Sequence, residues 1–307
     1  MKKNDIIIGA ALNYNHKDLS NFVVTLRKQY KNKILFFVSK DIDFKTLNFF
    51  KKYNVSYLKI KVNPRQVFKY RYKFYLDYLK KNKFDRVMVA DTRDVIFQKN
   101  PFNDKNFSDS CFFQEDKKIK ECGFNSNWIR NLYGKDNYNK IKNNKILCSG
   151  TSIGSYINIL DYLKKICAEI KKTENTKISK QLTEYKFFKN TLLKVITLII
   201  GKKNYLLLKY KLFGDYTYIG TDQGNHNFLI YSNKLKNFRI FDNKDGYIAT
   251  IGNANLSKYS MKDGVYNSKG IKFSVIHQYD RIFKKNGPLH TVVFEREFRK
   301  YLKKLVK

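Results

Sequence analysis

The stretch Arg86-Val87-Met88-Val89-Ala90-Asp91-Thr92-Arg93-Asp94 decides the fold of this chain. Four apolar residues, Val87 to Ala90, run unbroken after a single arginine, and charged residues follow at once. An apolar run of that length predicts a strand buried on both faces, as in a parallel sheet covered by helices. The same unit recurs upstream. Ile6–Leu12, Ile34–Val38 and Val55–Val62 have strand length and strand composition. Between them Leu19–Tyr30, Phe44–Tyr53 and Gln66–Lys81 place apolar residues at helical spacing, with Phe44, Leu47 and Phe50 in one stripe and Phe68, Tyr72, Tyr75 and Leu79 in another. Asn63-Pro64 supplies a break before the third helix. Strands alternating with such helices predict an α/β fold, a Rossmann-like, mostly parallel central sheet with right-handed crossovers. Ligands of these sheets bind beyond the carboxyl ends of the strands, which directs attention to Gly9–Leu12, Ser39-Lys40 and the residues after Ala90.

The second half is less regular. Asp109–Gln114 and the small-residue run Ile146–Gly154 read as strands, separated by the polar stretch Lys117–Lys145 with the chain's one tryptophan, Trp128. Tyr156–Lys171 reads as an amphipathic helix, and Thr221–Tyr231 as a helix capped by Thr221. Phe238–Phe241, Tyr247–Ile251 and Ile271–His277 are the remaining strands, and Val292–Lys304 is a terminal helix. No Pro/Gly/Ser linker and no internal repeat interrupts the chain. One domain over 1–307 is therefore expected, divided into halves 1–115 and 116–307, with helical insertions in the second half near 117–145 and 172–219.

Composition excludes several classes. With 307 residues, 43% hydrophobic and 29% charged, the chain is neither disordered nor a multispanning membrane protein. No apolar run reaches the roughly 20 residues of a membrane-crossing helix. The amino terminus, Met1-Lys2-Lys3-Asn4-Asp5, runs straight into Ile6 without the apolar region of a secretory signal, so a cytoplasmic chain is expected. The net charge of +36 attracts polyanions, but its lysines are spread along the whole sequence and no nucleic-acid-binding motif is present. Lysine, Asn, Ile, Tyr and Phe are abundant beside only 14 Gly, 3 Pro and 1 Trp, which is the mark of an A/T-rich genome, of a bacterium or of a large DNA virus in its host cell. Nucleic acid is accordingly not the expected partner. Cys111, Cys122, Cys148 and Cys167 form no CxxC pair, which argues for reduced thiols and against zinc.

Chemistry concentrates at four places. Asp91 and Asp94 stand just outside a buried strand, where two close carboxylates repel unless a hard divalent cation joins them; the alternative is a turn capped by Asp91 in which Asp94 pairs with Arg93. Cys148-Ser149-Gly150-Thr151-Ser152 ends a strand with residues small enough for close backbone approach. Asp222-Gln223 opens a helix, either as an anion-facing or polar site or as a cap. His277 ends a strand with Asp280 and Arg281 behind it, and is a better candidate than His16, His226 or His290.

In this order and spacing the set resembles the nucleotide-sugar-dependent glycosyltransferases of the GT-A fold. Asp91-Thr92-Arg93-Asp94 looks like their DxD-type motif, and Asn100-Pro101-Phe102 like its common continuation. Cys148-Ser149-Gly150 is similar to their Asn-Ser-Gly segment, Asp222-Gln223-Gly224 to the Asp-Gln-Gly helix of glycogenin-like enzymes, and His277-Gln278-Tyr279-Asp280-Arg281 to their late histidine motif. The resemblance covers about residues 5 to 281, with the spacing D-x-x-D in place of D-x-D and Cys148 in place of Asn. It implies a sugar transferred from a nucleotide-sugar donor, UDP- or GDP-linked, to a glycan, lipid-linked or protein acceptor in surface glycan synthesis. It implies Mn²⁺ or Mg²⁺ on Asp91, Asp94 and His277. Gly9, Ala10 and Ala11 would border the base and ribose within the donor half 1–115. Arg71, Lys73, Arg93, Ser149, Gly150 and Arg281 would face the diphosphate or sugar, and Asp222 with Gln223 would be the catalytic pair, Asp222 nearest the anomeric carbon.

Other classes remain beside it. A sugar-nucleotide nucleotidyltransferase would carry a Gly-rich basic loop after the first strand, where this chain reads Gly9-Ala10-Ala11-Leu12-Asn13. A basic nucleic-acid- or membrane-binding protein would use the carboxylates structurally. Thr191–Phe213 interleaves apolar clusters with lysine, so it suits peripheral contact with an anionic membrane or, equally, a packed helical insertion or dimer contact.

Overall fold

The computed structural model describes residues 3–63, 66–103, 109–174, 221–252, 254–284 and 289–306. Pro64, the expected insertion beyond 174 and the segment 191–213 lie outside the described residues. Strands β1 (Asp5–Ala11), β2 (Lys33–Ser39), β3 (Ser56–Ile60) and β4 (Arg86–Asp91) alternate with helices α1 (His16–Gln29), α2 (Phe44–Lys52) and α3 (Val67–Lys81). Strands β5 (Val95–Phe97) and β6 (Ser110–Lys118) follow, then α4 (Gly123–Ile141), β7 (Lys145–Ser155), α5 (Tyr156–Glu174) and α6 (Thr221–Tyr231). The chain continues through β8 (Phe238–Phe241), β9 (Ile248–Thr250), β10 (Ser260–Met261), β11 (Val265–Tyr266) and β12 (Val275–His277) to α7 (Leu289–Val306).

A seven-stranded sheet in the order β3-β2-β1-β4-β7-β6-β8 is the frame. Its pairings are parallel except for those of β7, which runs antiparallel to both β4 and β6, so the sheet is mixed with a parallel majority. The buried run of β4 reads as intended: Val87 to Ala90 are all buried. Leu19, Phe22, Val23 and Leu26 of α1 and Phe50 of α2 pack on one face of the sheet, with Ile7, Phe36 and Met88. Tyr72, Tyr75 and Leu79 of α3 and Tyr162 and Leu163 of α5 pack on the other, with Ile6, Ile8 and Val87. Crossovers through α1 and α2 build the sheet outward from β1, and α3 carries the chain back across to β4 on the other face. The order therefore reverses between β1 and β4, and that reversal is where open α/β sheets leave a crevice.

Several local expectations shift. Phe44 heads the expected apolar stripe of α2 yet is 74% exposed, whereas Phe50 is buried in the core and Leu47 packs against it. The last strand starts at Val275, after a bridge between Tyr266 and Lys272 uses up the residues before it. A second sheet, β5-β12-β9, stands beside the first and packs against α1 and α7. Among the described residues no helix is long and apolar enough to cross a membrane.

His226 shows the cost of burying an ionisable ring in this core. It is fully buried on α6, its Nδ1 2.9 Å from the Tyr162 hydroxyl, its ring edge-on to Phe112. Burial, with a smaller contribution from Arg71, lowers its pKa to about 3. The unfolded chain accepts a proton there near pH 6.5 and the folded chain does not, so stability present above pH 6.5 is lost as pH falls toward 3. Denaturant titrations at pH 7 and pH 5 should show the native chain losing about 2 kcal/mol more than a His226→Gln variant over that interval. Equal losses in the two proteins would contradict a neutral buried histidine.

Candidate metal and phosphate site

The reversal between β1 and β4 also organises the functional side chains. After Asp91 the chain turns sharply, with the Thr92 hydroxyl donating to the Ala10 carbonyl at 2.9 Å. Gly9 makes room for this turn, since a Cβ there would run into the Thr92 methyl and come within 3.0 Å of the Ala90 carbonyl oxygen. The chain re-enters extended structure at Val95, opposite His277 in the antiparallel pairing of β5 with β12. The Gln278 amide donates to the Asp94 carbonyl at 2.8 Å and locks that register. On the other flank β7 runs antiparallel to β4 with Thr151 opposite Ala90, which brings Gly150 beside Asp91.

Asp91, Asp94 and His277 thereby each offer one ligand atom within 4.8 Å of the others. His277 Nε2 lies 3.6 Å from Asp91 Oδ2 and 3.8 Å from Asp94 Oδ1. It is buried and has no hydrogen-bond partner among the described residues. Its other nitrogen, Nδ1, faces Cys148 Sγ at 3.3 Å and Thr250 Oγ1 at 3.4 Å, contacts that fix the ring with Nε2 toward the carboxylates. A Cβ on Gly150 would sit 2.6 Å from His277 Nε2 and 2.7 Å from Asp91 Oδ2, so only glycine leaves this space open. Two carboxylates and an imidazole whose Nε2 lacks a hydrogen-bond partner among the described residues form a donor set that could hold a divalent metal ion.

Electrostatics within the cluster are divided. Burial pushes the Asp91 carboxyl up, but the Arg71 guanidinium and then His277 outweigh it and hold the group well below the usual carboxylate range. Burial wins at Asp94, which is raised, with His277 opposing and Asp91 and Asp280 adding to the rise. Burial works against the charged form of His277, yet Cys148, Asp94 and Asp91 together raise it well above an ordinary histidine. A buried negative cluster that holds a proton on its histidine is one that a divalent cation can relieve.

Arg71 on α3 ties this cluster to Asp222 on α6. Its guanidinium pairs with Asp91, donates to Asp222 Oδ2 at 2.7 Å and to the Ser149 carbonyl at 3.2 Å. Asp222 Oδ2 also accepts from the Tyr72 hydroxyl at 3.0 Å and the Ser149 hydroxyl at 3.4 Å. Asp222 is 2% exposed, and burial raises its pKa although Arg71 opposes that shift. Gln223 accepts from the Ser149 amide at 3.4 Å and donates to Asn125 at 3.2 Å.

A cavity of about 270 Å³ opens at the reversal point. Ala10, Leu12 and Tyr14 from the β1 end, Asp91 through Asp94 from the β4 end, and Val67, Phe68 and Arg71 from α3 line it, with Arg281 closing one side. The expected site residues therefore divide. Ala10, Arg71, Asp91, Arg93, Asp94 and Arg281 border the cavity. Ser149, Gly150, Asp222, Gln223 and His277 stand directly behind Arg71 and Asp91. Gly9 serves the turn at Thr92, and Ala11 lines a neighbouring cavity of about 150 Å³ with Asn13, Ser39 and Asp41. Arg93 pairs with Asp280 at 3.1 Å and not with Asp94, because the β5–β12 register brings Asp280 across. Lys73 points to solvent, pairs with Asp77 one turn on and does not line the cavity. Tyr14, Thr250 and the Tyr72 hydroxyl are site groups that no local pattern marks; they arrive through long-range packing.

Fold and site together define an α/β protein with a cation-competent Asp-Asp-His cluster and arginines at the crevice of a mixed sheet. The chain matches no protein-family model and no curated protein.

Proposed function

We propose that this chain is a nucleotide-sugar-dependent glycosyltransferase of the GT-A kind, with its donor in the crevice between β1 and β4. The observation that carries the reading is the convergence of Asp91, Asp94 and His277 within 4.8 Å, with the two carboxylates lining, and the imidazole buried behind, a cavity that Arg71, Arg93 and Arg281 also line. A nucleoside diphosphate leaves with charge on its terminal phosphate, and a cleft with cations set in advance stabilises that charge without reorganising. Asp91, Asp94 and His277 would hold Mn²⁺ or Mg²⁺, and the ion would neutralise the departing diphosphate. Arg281 and Arg93 stand at the rim as further partners for phosphate oxygens. Asp222 orients Arg71 through a charged hydrogen bond, so the guanidinium is fixed before the donor enters. Ala10, with its small side chain, leaves space for the nucleoside at the end of β1.

Thermal unfolding against UDP-, GDP- and CMP-sugars, with and without Mn²⁺, tests the reading. A donor present at about 100 times its dissociation constant adds about 2.7 kcal/mol to stability. The expected result is a rise in melting temperature for one nucleotide series, larger with Mn²⁺. No shift with any sugar nucleotide, beside tight and steeply salt-dependent binding to DNA, would replace the transferase with a basic nucleic-acid-binding protein.

A further inference from the structure

The largest of the cavities described among these residues lies far from the Asp-Asp-His cluster. It has a volume of about 450 Å³ and sits between the end of α1, the β10–β11 hairpin and α7. Helix α1 leaves the carboxyl end of β1 and reaches Gln29 just before β2, so this cavity is at the opposite end of the strands, a helix length of about 20 Å from the crevice between β1 and β4. Its lining includes Lys28, Lys262, Lys272, Lys300 and Lys304 against the two acids Asp263 and Glu297. Met261, Tyr301 and Leu305 form an apolar floor.

Helix α7 extends the same surface. Phe294 and Phe298 bury one side of it against Tyr279 and Ile282. The outer side exposes Val292 at 50% and Val293 at 44%, together with Arg296, Arg299, Lys300, Lys303 and Lys304. Glu295 and Glu297 are engaged by Arg299, Arg296 and Lys300 on the helix itself. With its apolar side committed to the core, α7 presents an outer face rich in cations and carrying two exposed valines, which suits attraction to an anionic surface.

We propose that this face, the lysine-lined cavity with the outer side of α7, docks the protein on an anionic phospholipid membrane. Lys272 is held by Asp263 and Lys300 by Glu297, and the five lysines less the two acids leave the lining a net charge of three positive, carried on long stems that suit a field of lipid phosphates better than the paired geometry of one bound anion. The exposed valines and the apolar floor have no use on a nucleic-acid backbone, and they favour the membrane over that alternative. Docking through this end turns the crevice at the other end toward solvent, where a soluble donor can enter. The inference does not depend on the transferase reading.

Because the whole chain is basic, the test compares two sets of substitutions of equal charge. The intact protein is sedimented with phosphatidylcholine vesicles, with and without phosphatidylglycerol, at about 0.15 M salt. The Lys262→Gln/Lys300→Gln/Lys304→Gln variant is set beside Lys51→Gln/Lys120→Gln/Lys140→Gln, three exposed lysines on other elements. At about fivefold per lysine near the surface, the first set should weaken binding to anionic vesicles about 100-fold and the second less than about threefold. A Val292→Ser/Val293→Ser variant, whose charge is unchanged, should also weaken it. Equal losses in the two lysine sets, or an unaffected valine variant, would overturn the proposal, as would binding to duplex DNA with no binding to anionic vesicles.

Discussion

Asp94→Asn should make the metal-free protein more stable and at the same time abolish its response to Mn²⁺. Both effects follow from one position. Asp94 is 6% exposed, and burial raises its pKa, with Asp91 and Asp280 adding to the rise. Its ionised form is an unfavourable buried charge beside another carboxylate, and an amide of the same shape removes that repulsion, a gain of about 1 kcal/mol. The same change takes one of three donors from the cation cluster. Losing a ligand and its share of transition-state charge stabilisation should lower sugar transfer by at least about 10³-fold, some 4 kcal/mol. Melting curves with and without Mn²⁺ and single-turnover transfer assays are the checks. A destabilised variant that still responds to Mn²⁺ would show that Asp94 is a structural turn residue and that the cation, if any, binds elsewhere.

Arg71→Met should be among the most damaging single changes in the described fold. The guanidinium is the counter-charge for Asp91 and for Asp222, whose side chain is 3% exposed. Removing it leaves Asp222 buried beside Tyr72 and Ser149 with no cation. Stranding a buried charge costs about 3–5 kcal/mol, which for a chain of this size lowers the melting temperature by roughly 10 °C. The loss should shrink as pH falls, because protonating the raised Asp222 carboxyl removes the stranded charge. Adding Asp222→Asn should recover part of the stability, giving a coupling energy above about 1 kcal/mol in a double-mutant cycle. Additive effects would mean that Arg71 and Asp222 share a neighbourhood and little else. If the proposed donor site is right, donor binding should stay weak in the double variant, since the cavity has lost the cation of Arg71.

Much of the frame is legible along the chain because its information is local. The unbroken run Val87–Ala90 and the helical stripe Tyr72, Tyr75 and Leu79 each declare an element within a few residues, and the structure builds both where expected. Boundaries were less legible. Strand β6 continues four residues beyond Gln114, to Lys118, because β7 offers a partner there, through a bulged register that no hydropathy pattern encodes. The short strands late in the chain depend wholly on partners, and β12 is only the segment that β5 and β9 can both reach.

The candidate residues follow the same division. Chemistry and position at strand ends single out Asp91, Asp94, Asp222 and His277 one by one, since a carboxylate or imidazole after an apolar run has little local reason to be there. Which of them meet is a tertiary matter. The pairing of Val95 with His277 spans 182 positions of sequence and alone places the imidazole on the carboxylates. Arg71, one cation among 62 in the chain, is singled out by burial between two acids. Arg93, which still borders the cavity, takes Asp280 as its partner for the same reason, an acid delivered by a distant strand. Sequence by itself determined the α/β alternation and the side-chain chemistry at the strand ends, because periodicity and composition act within a turn or a strand. Tertiary structure decided the reversal between β1 and β4, the joining of Asp91 and Asp94 to His277, and the role of Gly150 in leaving room for them, because each depends on backbones brought side by side from remote parts of the chain.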